Sequence, residues 1–246
     1  NEIKAGTNNI ISDLKNIIYE NNINNKFKNI IDMHYKIIRI KKIETSENGN
    51  KYIGEFINKL KNGKGILYFN KNDEYKRNKY EGDFKDDKIE GKGIVYWNNG
   101  NRYEGDFKEN KIEGKGKFYY NSGNKYEGDL KNGKKEGKGI FYVRNGVVYE
   151  GDFINGRKNG KGIEYFNNGD IYEGDFVDNL KNGKGIYYYH NGDRYEGDFV
   201  GDVREGKGIF YYKNGDREIG DYFNDARIGN HAKLSINGIV TNLEYQ

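Results

Sequence analysis

The sequence predicts an all-β protein: an elongated single-layer antiparallel meander of about eight 23-residue β-hairpin repeats, with a short N-terminal helical segment. Three observations predict this fold. The chain has 246 residues, of which 35 are glycine and 23 are tyrosine, and it contains neither proline nor cysteine. Hydrophobic residues make up only 34%, which is too few for a thick two-layer core. A five-residue pattern also recurs at a fixed spacing along most of the chain.

The recurring pattern is Tyr-Glu-Gly-Asp-Phe, followed eleven residues after the tyrosine by Gly-Lys-Gly. An Asn-Gly type turn closes most units. The alternation in Tyr-x-Gly-x-Phe and again after Gly-Lys-Gly predicts two strands per unit, joined by a polar loop. Degenerate copies begin at Tyr52 and Glu218, which is typical of capping repeats. Intact copies begin at Tyr80, Tyr103, Tyr126, Tyr149, Tyr172 and Tyr195.

The pattern also predicts how the strands of a hairpin pair. In the second intact copy, the expected opposite pairs are Tyr103–Phe118, Gly105–Gly116 and Phe107–Gly114. An acidic and a basic residue then face each other on the other side of the sheet, and such pairs help to set register. Because they recur, we interpret them as structural rungs rather than catalytic dyads. The expected pairs are Asp83–Lys92, Asp106–Lys115, Asp129–Lys138, Asp152–Lys161, Asp175–Lys184 and Asp198–Lys207.

These motifs resemble the MORN repeat (membrane occupation and recognition nexus), and the resemblance covers about residues 49–230. It implies an elongated, twisted sheet with one aromatic-lined groove. It also implies a role in scaffolding, in cytoskeletal or ciliary assembly, in homodimerisation, or in docking of partner peptides or helices. Phospholipid binding has been proposed for the family as well. The lipid-kinase and SET methyltransferase domains that accompany some members are not present in this sequence.

A one-layer sheet has no second layer to cover a continuous aromatic face, and exposed apolar strips of this size usually mark interfaces. The aromatic positions of the repeats are therefore the expected partner-binding surface. These residues are Trp97, Tyr103, Phe107, Phe118, Tyr126, Phe141, Tyr149, Phe153, Tyr172, Phe176, Tyr195 and Phe199.

Residues 1–46 differ from the repeat region 47–246, whose stretch 218–246 is expected to be a degenerate last repeat and C-terminal cap. Ile10, Leu14 and Ile17 belong to an apolar stripe with helical spacing. Residues 36–43 are predicted to form a strand that pairs with residues 52–56. We expect the helical part to cover the open edge of this first strand, which would otherwise favour aggregation.

The N-terminal segment also carries most of the net charge of +4. A basic amphipathic stretch can lie on an anionic membrane, so its basic residues are a candidate lipid-binding set. Capping of the first strand is the favoured interpretation, and both roles are compatible. The set comprises Lys26, Lys28, Lys36, Arg39, Lys41 and Lys42.

Several other classes of function are excluded by the sequence. No catalytic residues are expected, because a one-layer sheet offers no water-excluding pocket. His34, His190 and His231 share no ligand spacing, so neither a metal nor another cofactor is expected. The repeats are almost neutral, which removes the electrostatic attraction that nucleic-acid binding needs.

The expected function is therefore a non-enzymatic protein–protein interaction scaffold that binds a partner peptide, a helix or a second copy. We expect it in cytoskeletal, ciliary or membrane-associated assembly, with a cytoplasmic location at the cytoskeleton or at the inner face of a membrane. The alternatives are a phospholipid-binding module and the accessory repeat region of a larger enzyme.

Overall fold

A computed structural model describes residues 40–246. They form eighteen strands in one sheet, and each strand pairs antiparallel with the strands before and after it in the chain. The predicted all-β meander is confirmed. The predicted helices fall on residues 1–39 and lie outside the described residues. The strands are β1 (Ile40–Thr45), β2 (Lys51–Ile57), β3 (Leu60–Tyr68), β4 (Arg77–Lys85), β5 (Lys88–Trp97), β6 (Arg102–Lys108), β7 (Lys111–Tyr119), β8 (Lys125–Lys131), β9 (Lys134–Tyr142), β10 (Val148–Ile154), β11 (Arg157–Tyr165), β12 (Ile171–Val177), β13 (Leu180–Tyr188), β14 (Arg194–Val200), β15 (Val203–Tyr211), β16 (Arg217–Phe223), β17 (Ala226–Leu234) and β18 (Val240–Tyr245).

Eight repeats of two strands account for sixteen strands, β2 to β17, and β1 and β18 add one strand at each end of the sheet. Strand β1 pairs with β2, with Ile40 opposite Phe56 and Ile43 opposite Ile53. The predicted pairing of this N-terminal strand with the first repeat is therefore confirmed over the described residues. Strand β18 pairs with β17 at the other end of the sheet.

The hairpin register is confirmed at one end of each hairpin and wrong at the other. Gly105 lies opposite Gly116, as predicted, but Phe107 lies opposite Ile112 instead of Gly114. The reason is a β-bulge at Gly114, whose φ of 78° is in the left-handed region that glycine adopts readily. The hairpin then closes through a two-residue turn at Glu109 and Asn110, both with positive φ, in place of the longer polar loop.

Each repeat tyrosine lies across the pair of strand glycines. A Cβ added at Gly116 would approach the Tyr103 ring to 2.3 Å, so only glycine leaves room for the ring. The Tyr103 hydroxyl donates a hydrogen bond of 3.0 Å to the backbone carbonyl of Asp106, which the bulge leaves free for it. The same bond recurs from Tyr80, Tyr126, Tyr149, Tyr172 and Tyr195. Glycine and tyrosine are thus two halves of one packing unit.

The tyrosines form the core together with the phenylalanines of neighbouring repeats. The Tyr80 ring packs edge-to-face against Phe84 of its own repeat and Phe107 of the next, at centroid distances of 5.2 and 5.0 Å. Each repeat therefore completes the core of its neighbour, which is why the sheet grows as a chain of repeats.

Long side chains from the turn end of each hairpin cover this aromatic core. Ile112 occupies the covering position in one repeat, and Lys135, Lys158 and Arg204 occupy it in others. The Lys135 ammonium lies 4.1 Å from the centroid of Phe141 and 5.1 Å from that of Phe153. Because aliphatic stems and cation–π contacts close the core, a chain with few aliphatic residues can still bury it.

Candidate interaction surface

The predicted aromatic surface is largely the core of the protein. Nine of its twelve side chains are at most 6% exposed, which leaves them no area for a partner. The expectation of an open aromatic strip is therefore wrong for them, because the covering side chains supply the missing second layer. These residues are Tyr103, Phe107, Tyr126, Tyr149, Phe153, Tyr172, Phe176, Tyr195 and Phe199.

The other three predicted residues, Trp97, Phe118 and Phe141, are half-buried and pack against the core. Trp97 stacks on Phe118 at a centroid distance of 5.2 Å. They begin a row of partly exposed side chains on the tyrosine face, which we call the outer aromatic row. It continues through Tyr120, Phe166, Tyr187, Tyr189 and Tyr212.

The opposite face of the sheet carries a groove of about 1240 Å³ that runs from β8 to β16. Shorter stretches continue on the same face toward β1. We call this side the groove face. Glycine pairs form the floor of the groove, and two rows of side chains line it. In one row, lysines that line the groove alternate with aspartates along the sheet, and in the other row isoleucine alternates with glutamate. From the sequence, only the acidic–basic pairs are predicted on this side of the sheet.

The lysine–aspartate row links neighbouring repeats, which corrects the predicted pairing within one hairpin. Asp106 accepts the backbone N–H of Lys115 from its own hairpin at 3.0 Å, and its other oxygen lies 2.5 Å from Lys92 Nζ of the preceding repeat. The bulge causes this change, because it moves the lysine out of line with the aspartate of its own hairpin. The ion pairs are Lys64–Asp83, Lys92–Asp106, Lys115–Asp129, Lys138–Asp152, Lys161–Asp175 and Lys184–Asp198.

These ion pairs are structural. Burial alone would raise the pKa of Asp106, but hydrogen bonds from Lys92 and Lys115 outweigh burial and lower it. The aspartate therefore stays ionised and is unsuited to act as a general acid near neutral pH. The lysine partners are about 70% exposed, so each pair contributes little free energy.

The isoleucine–glutamate row shows a second regularity. In four repeats the residue before the core tyrosine is basic and lies near the glutamate that follows the tyrosine, as with Lys79 Nζ at 2.6 Å from Glu81. The other three pairs are Arg102–Glu104, Lys125–Glu127 and Arg194–Glu196, at 3.9, 3.4 and 3.6 Å. The pKa of Glu127 is lowered, chiefly by a hydrogen bond from Lys117 across the strands. In the repeats of β10 and β12 the basic residue is replaced by Val148 and Ile171.

The last repeat replaces its tyrosine with Glu218, and His231 supplies the missing ring. The imidazole enters from the facing strand, lies over Gly220 where a tyrosine ring would lie, and donates from Nε2 to the carbonyl of Asp221 at 2.9 Å. Its Nδ1 is 2.9 Å from Glu218 Oε1, at ion-pair distance but off the hydrogen-bonding direction. His231 is therefore a core residue.

The remaining histidines also fall outside any metal centre in the described chain. His190 hydrogen-bonds the buried carboxylate of Asp170, which also accepts from Tyr187. Burial would raise the pKa of Asp170, but these bonds outweigh it and hold the pKa at about 2. Residues 40–246 contain no group of three or more potential ligands arranged for a metal ion. His34 lies outside the described residues.

Only two members of the candidate lipid-binding set belong to the described chain. Lys41 and Lys42 lie on β1, where Lys42 Nζ is 2.8 Å from Glu44 and 4.1 Å from the Phe56 ring centroid. Lys26, Lys28, Lys36 and Arg39 lie outside it. Within residues 40–246 no helix is long and apolar enough to cross a membrane.

An open sheet of stacked hairpins, with each core completed by the next repeat, defines a β-hairpin repeat protein. The MORN repeat family model matches seven consecutive units, at residues 52–74, 80–102, 103–125, 126–148, 149–171, 172–194 and 195–217. The chain belongs to this family, as its motifs predicted.

The comparison with curated proteins finds no match. One similar solved structure is the SAS-4 TCP domain of Drosophila melanogaster in complex with a proline-rich motif of Ana2. Its sequence is 14% identical, and the match has a TM-score of 0.43 and covers 63% of this chain and 84% of that one. A streptogramin B lyase is 12% identical over 86% of each chain, with a TM-score of 0.18. The virginiamycin B lyase of Staphylococcus aureus is 12% identical over 86% of this chain and 89% of that one, with a TM-score of 0.16. Likeness at these scores carries no argument about function.

Proposed function

We propose that this protein is a non-enzymatic protein-interaction scaffold that holds a segment of a partner protein along its groove face. The observation that carries the proposal is the groove from β8 to β16, in which apolar and charged side chains repeat with the period of the fold. Protein interfaces combine an apolar centre with polar groups that fix register, and the isoleucine–glutamate row has this composition.

The rest of the molecule supports a scaffold role. The tyrosine core links every repeat to the next, so the groove is held on a continuous backbone rather than on loops. The repeated ion pairs are exposed and nearly equivalent, whereas a catalytic group is normally singular and shielded from water. Membership of the MORN family agrees with a repeat-based interaction scaffold.

A pair of matched variants tests which face is used. Ile163→Lys with Ile186→Lys places charges in the groove, and Trp97→Ser with Phe118→Ser removes rings of the outer aromatic row. Partners captured by the wild-type chain from cells of its source should be lost from the groove variant and retained by the outer-row variant. Retention of every partner by a correctly folded groove variant would contradict the proposal, and loss only from the outer-row variant would move the binding surface to the tyrosine face.

Self-association is a second candidate, because among residues 40–246 strand β18 pairs only with β17. Ile236, Ile239 and Val240 at this end are each at least 64% exposed. An unpaired edge strand with exposed apolar neighbours favours pairing with another chain. Sedimentation velocity over a range of concentrations should show a dimer that Val240→Lys abolishes. A single monomeric species at all concentrations would exclude this candidate.

We also propose a location at the cytoskeleton or at a membrane. Imaging of the tagged chain in cells would test it.

A further inference from the structure

Two neighbouring repeats on the groove face lack the basic residue that pairs with the glutamate elsewhere. Val148 and Ile171 occupy its position, and the following glutamates are Glu150 and Glu173. Both carboxylates are exposed, and among residues 40–246 neither has an ion-pair or hydrogen-bond partner. In the four repeats that keep the base, the corresponding distance is 3.9 Å or less. The described part of the chain therefore leaves two carboxylates of neighbouring repeats unpaired at positions where the other repeats supply a basic partner.

The register places these carboxylates in a defined line. Glu150 lies opposite Ile163, and Ile163 lies opposite Glu173, so the three side chains run straight across β10, β11 and β12. The two glutamates are two strand spacings apart, or roughly 10 Å. An apolar group thus lies midway between two unpaired negative charges.

The residues that replace the bases build a second line beside the first. Val148 lies opposite Tyr165, and Tyr165 lies opposite Ile171. On the other flank, Lys138 and Lys161 are already paired with aspartates at 2.7 and 2.6 Å. The result is an apolar strip and two free carboxylates bordered by neutralised charge. We call it the β10–β12 patch: Val148, Glu150, Ile163, Tyr165, Ile171 and Glu173.

We propose that the β10–β12 patch binds a basic amphipathic α-helix of a partner protein, with cationic residues seven positions apart and apolar residues between them. This inference rests on the proposed function and names the partner chemistry at one place in the groove. An α-helix rises about 1.5 Å per residue, so positions i and i+7 are about 10.5 Å apart and match the spacing of the two glutamates.

The isoleucine between the glutamates selects a helix over other segments. Positions i+3 and i+4 of a helix lie on the same face as i and i+7, so apolar residues there meet Ile163. A polyproline segment repeats about every 9.3 Å, but it has no residue on the same face between its repeats. It would match the two charges and leave Ile163 uncovered.

The test uses labelled synthetic helical peptides and the full chain, with binding followed by fluorescence anisotropy. One peptide carries arginines at i and i+7 with leucines at i+3 and i+4. A second moves one arginine to the opposite helix face, and a third has glutamates in place of the arginines. We expect only the first to bind, and we expect added salt to weaken it because the charges are exposed.

Two double variants of the protein should weaken binding of the first peptide, one by pairing the two glutamates and the other by removing their charges. Val148→Arg with Ile171→Arg restores the basic residue found in other repeats, so the fold is retained while Glu150 and Glu173 become paired. Glu150→Gln with Glu173→Gln removes the charges. Each should weaken binding of the first peptide about tenfold, as expected for two exposed ion pairs. Glu81→Gln with Glu127→Gln is the matched control, because those glutamates are already paired, and it should bind like the wild type.

Equal binding of the first peptide to the wild type and to Val148→Arg with Ile171→Arg would overturn the proposal. So would equal binding of all three peptides, preference for a polyproline peptide with arginines three residues apart, or self-association through the patch without peptide binding. If the first peptide fails while cellular partners are still lost from the groove variant, the basic helix is wrong and the scaffold function stands. If no partner depends on the groove, both are overturned.

Discussion

Raising the pH should unfold this protein through its buried tyrosines. Burial raises the pKa of Tyr52 to about 12. Burial also raises the pKa of each repeat tyrosine from Tyr80 to Tyr195, and the charge of the aspartate three residues further on adds to the shift in all six. In the unfolded chain these hydroxyls titrate near pH 10. Above that pH the unfolded state binds fewer protons than the folded state, so stability falls as pH rises.

The size of the effect follows from the number of rings. Each such tyrosine loses about 1.4 kcal/mol of stabilisation for every pH unit above about 10, until its folded pKa is reached. The seven tyrosines together lose about 10 kcal/mol by about pH 11. This loss is comparable with the whole free energy of unfolding of a typical domain. All of this stabilisation is present below about pH 10.

The assay is urea unfolding followed by circular dichroism at a series of alkaline pH values, with tyrosinate absorbance recorded in parallel. We expect tyrosinate to appear together with loss of the sheet signal. Tyr172→Phe is the control: it should cost about 1 kcal/mol at neutral pH, because the bond to the Asp175 carbonyl is lost. Near pH 11 this penalty should vanish or reverse. If tyrosinate formed near pH 10, as in an unfolded chain, while the sheet signal stayed intact, the reasoning would be refuted.

Three further predictions concern packing, charge and the last repeat. Gly185→Ala brings a Cβ within 2.5 Å of a core tyrosine ring and should cost about 3 kcal/mol or more, whereas Gly156→Ala meets nothing within 4 Å and should cost about 1 kcal/mol by urea unfolding. Asp129→Asn should cost less than about 1 kcal/mol, and the difference should shrink in high salt. Burial would raise the pKa of Glu218, but hydrogen bonds from tyrosine and the charge of a nearby arginine lower it, so its contribution is present above about pH 4.3 and lost below it. The protection factors of β16–β18 against hydrogen exchange should therefore fall relative to those of the other strands on acidification, and His231→Ala should produce the same fall at neutral pH.

Each of these predictions has a contradicting result. Equal costs for the two glycine variants would mean that the ring does not need the glycine. A salt-independent loss in Asp129→Asn would show that the backbone bond, rather than the charge, is what matters. If protection changed equally in all strands on acidification, the charge of Glu218 would not be what stabilises the last repeat.

The sequence was sufficient for the strand order and for part of the register. A strict period, turn residues and alternation define two strands per unit, and the glycine pair is identifiable because a large ring needs space opposite it. The pairing of β1 with β2 also followed from the position of the turn at Asn48 and Gly49. Such local patterns suffice because each strand contacts only its neighbours in the chain.

The bulge could not be predicted from the same pattern. Gly114 and Gly116 are both glycines of one motif, yet one takes positive φ at the bulge and the other lies under a tyrosine ring. Alternation does not distinguish these roles. Moving the register by the bulge redirects Lys115 from Asp106 to Asp129 of the next repeat, so the ion pairs became links between repeats.

The exposure of the aromatic positions could not be predicted for a related reason. An aromatic row suggests an exposed strip only if nothing covers it, and Lys135 and Lys158 look like surface residues in the sequence. In the structure their ammonium groups lie over the rings. The signal for the groove was nevertheless present: Val148 and Ile171 are hydrophobic where neighbouring repeats have a basic residue.

Small-angle X-ray scattering, with the mass measured by light scattering, tests the central claim most directly, namely that the repeats form one open sheet rather than a closed globule. Eighteen strands spaced about 4.8 Å apart span roughly 80 Å before twist, which requires a radius of gyration of about 23 Å or more. A compact chain of this length would have a radius of gyration of about 18 Å. At dilutions where the measured mass is that of one chain, we predict the larger radius. A monomer with a radius near that of the compact chain would contradict the open sheet and the groove built on it.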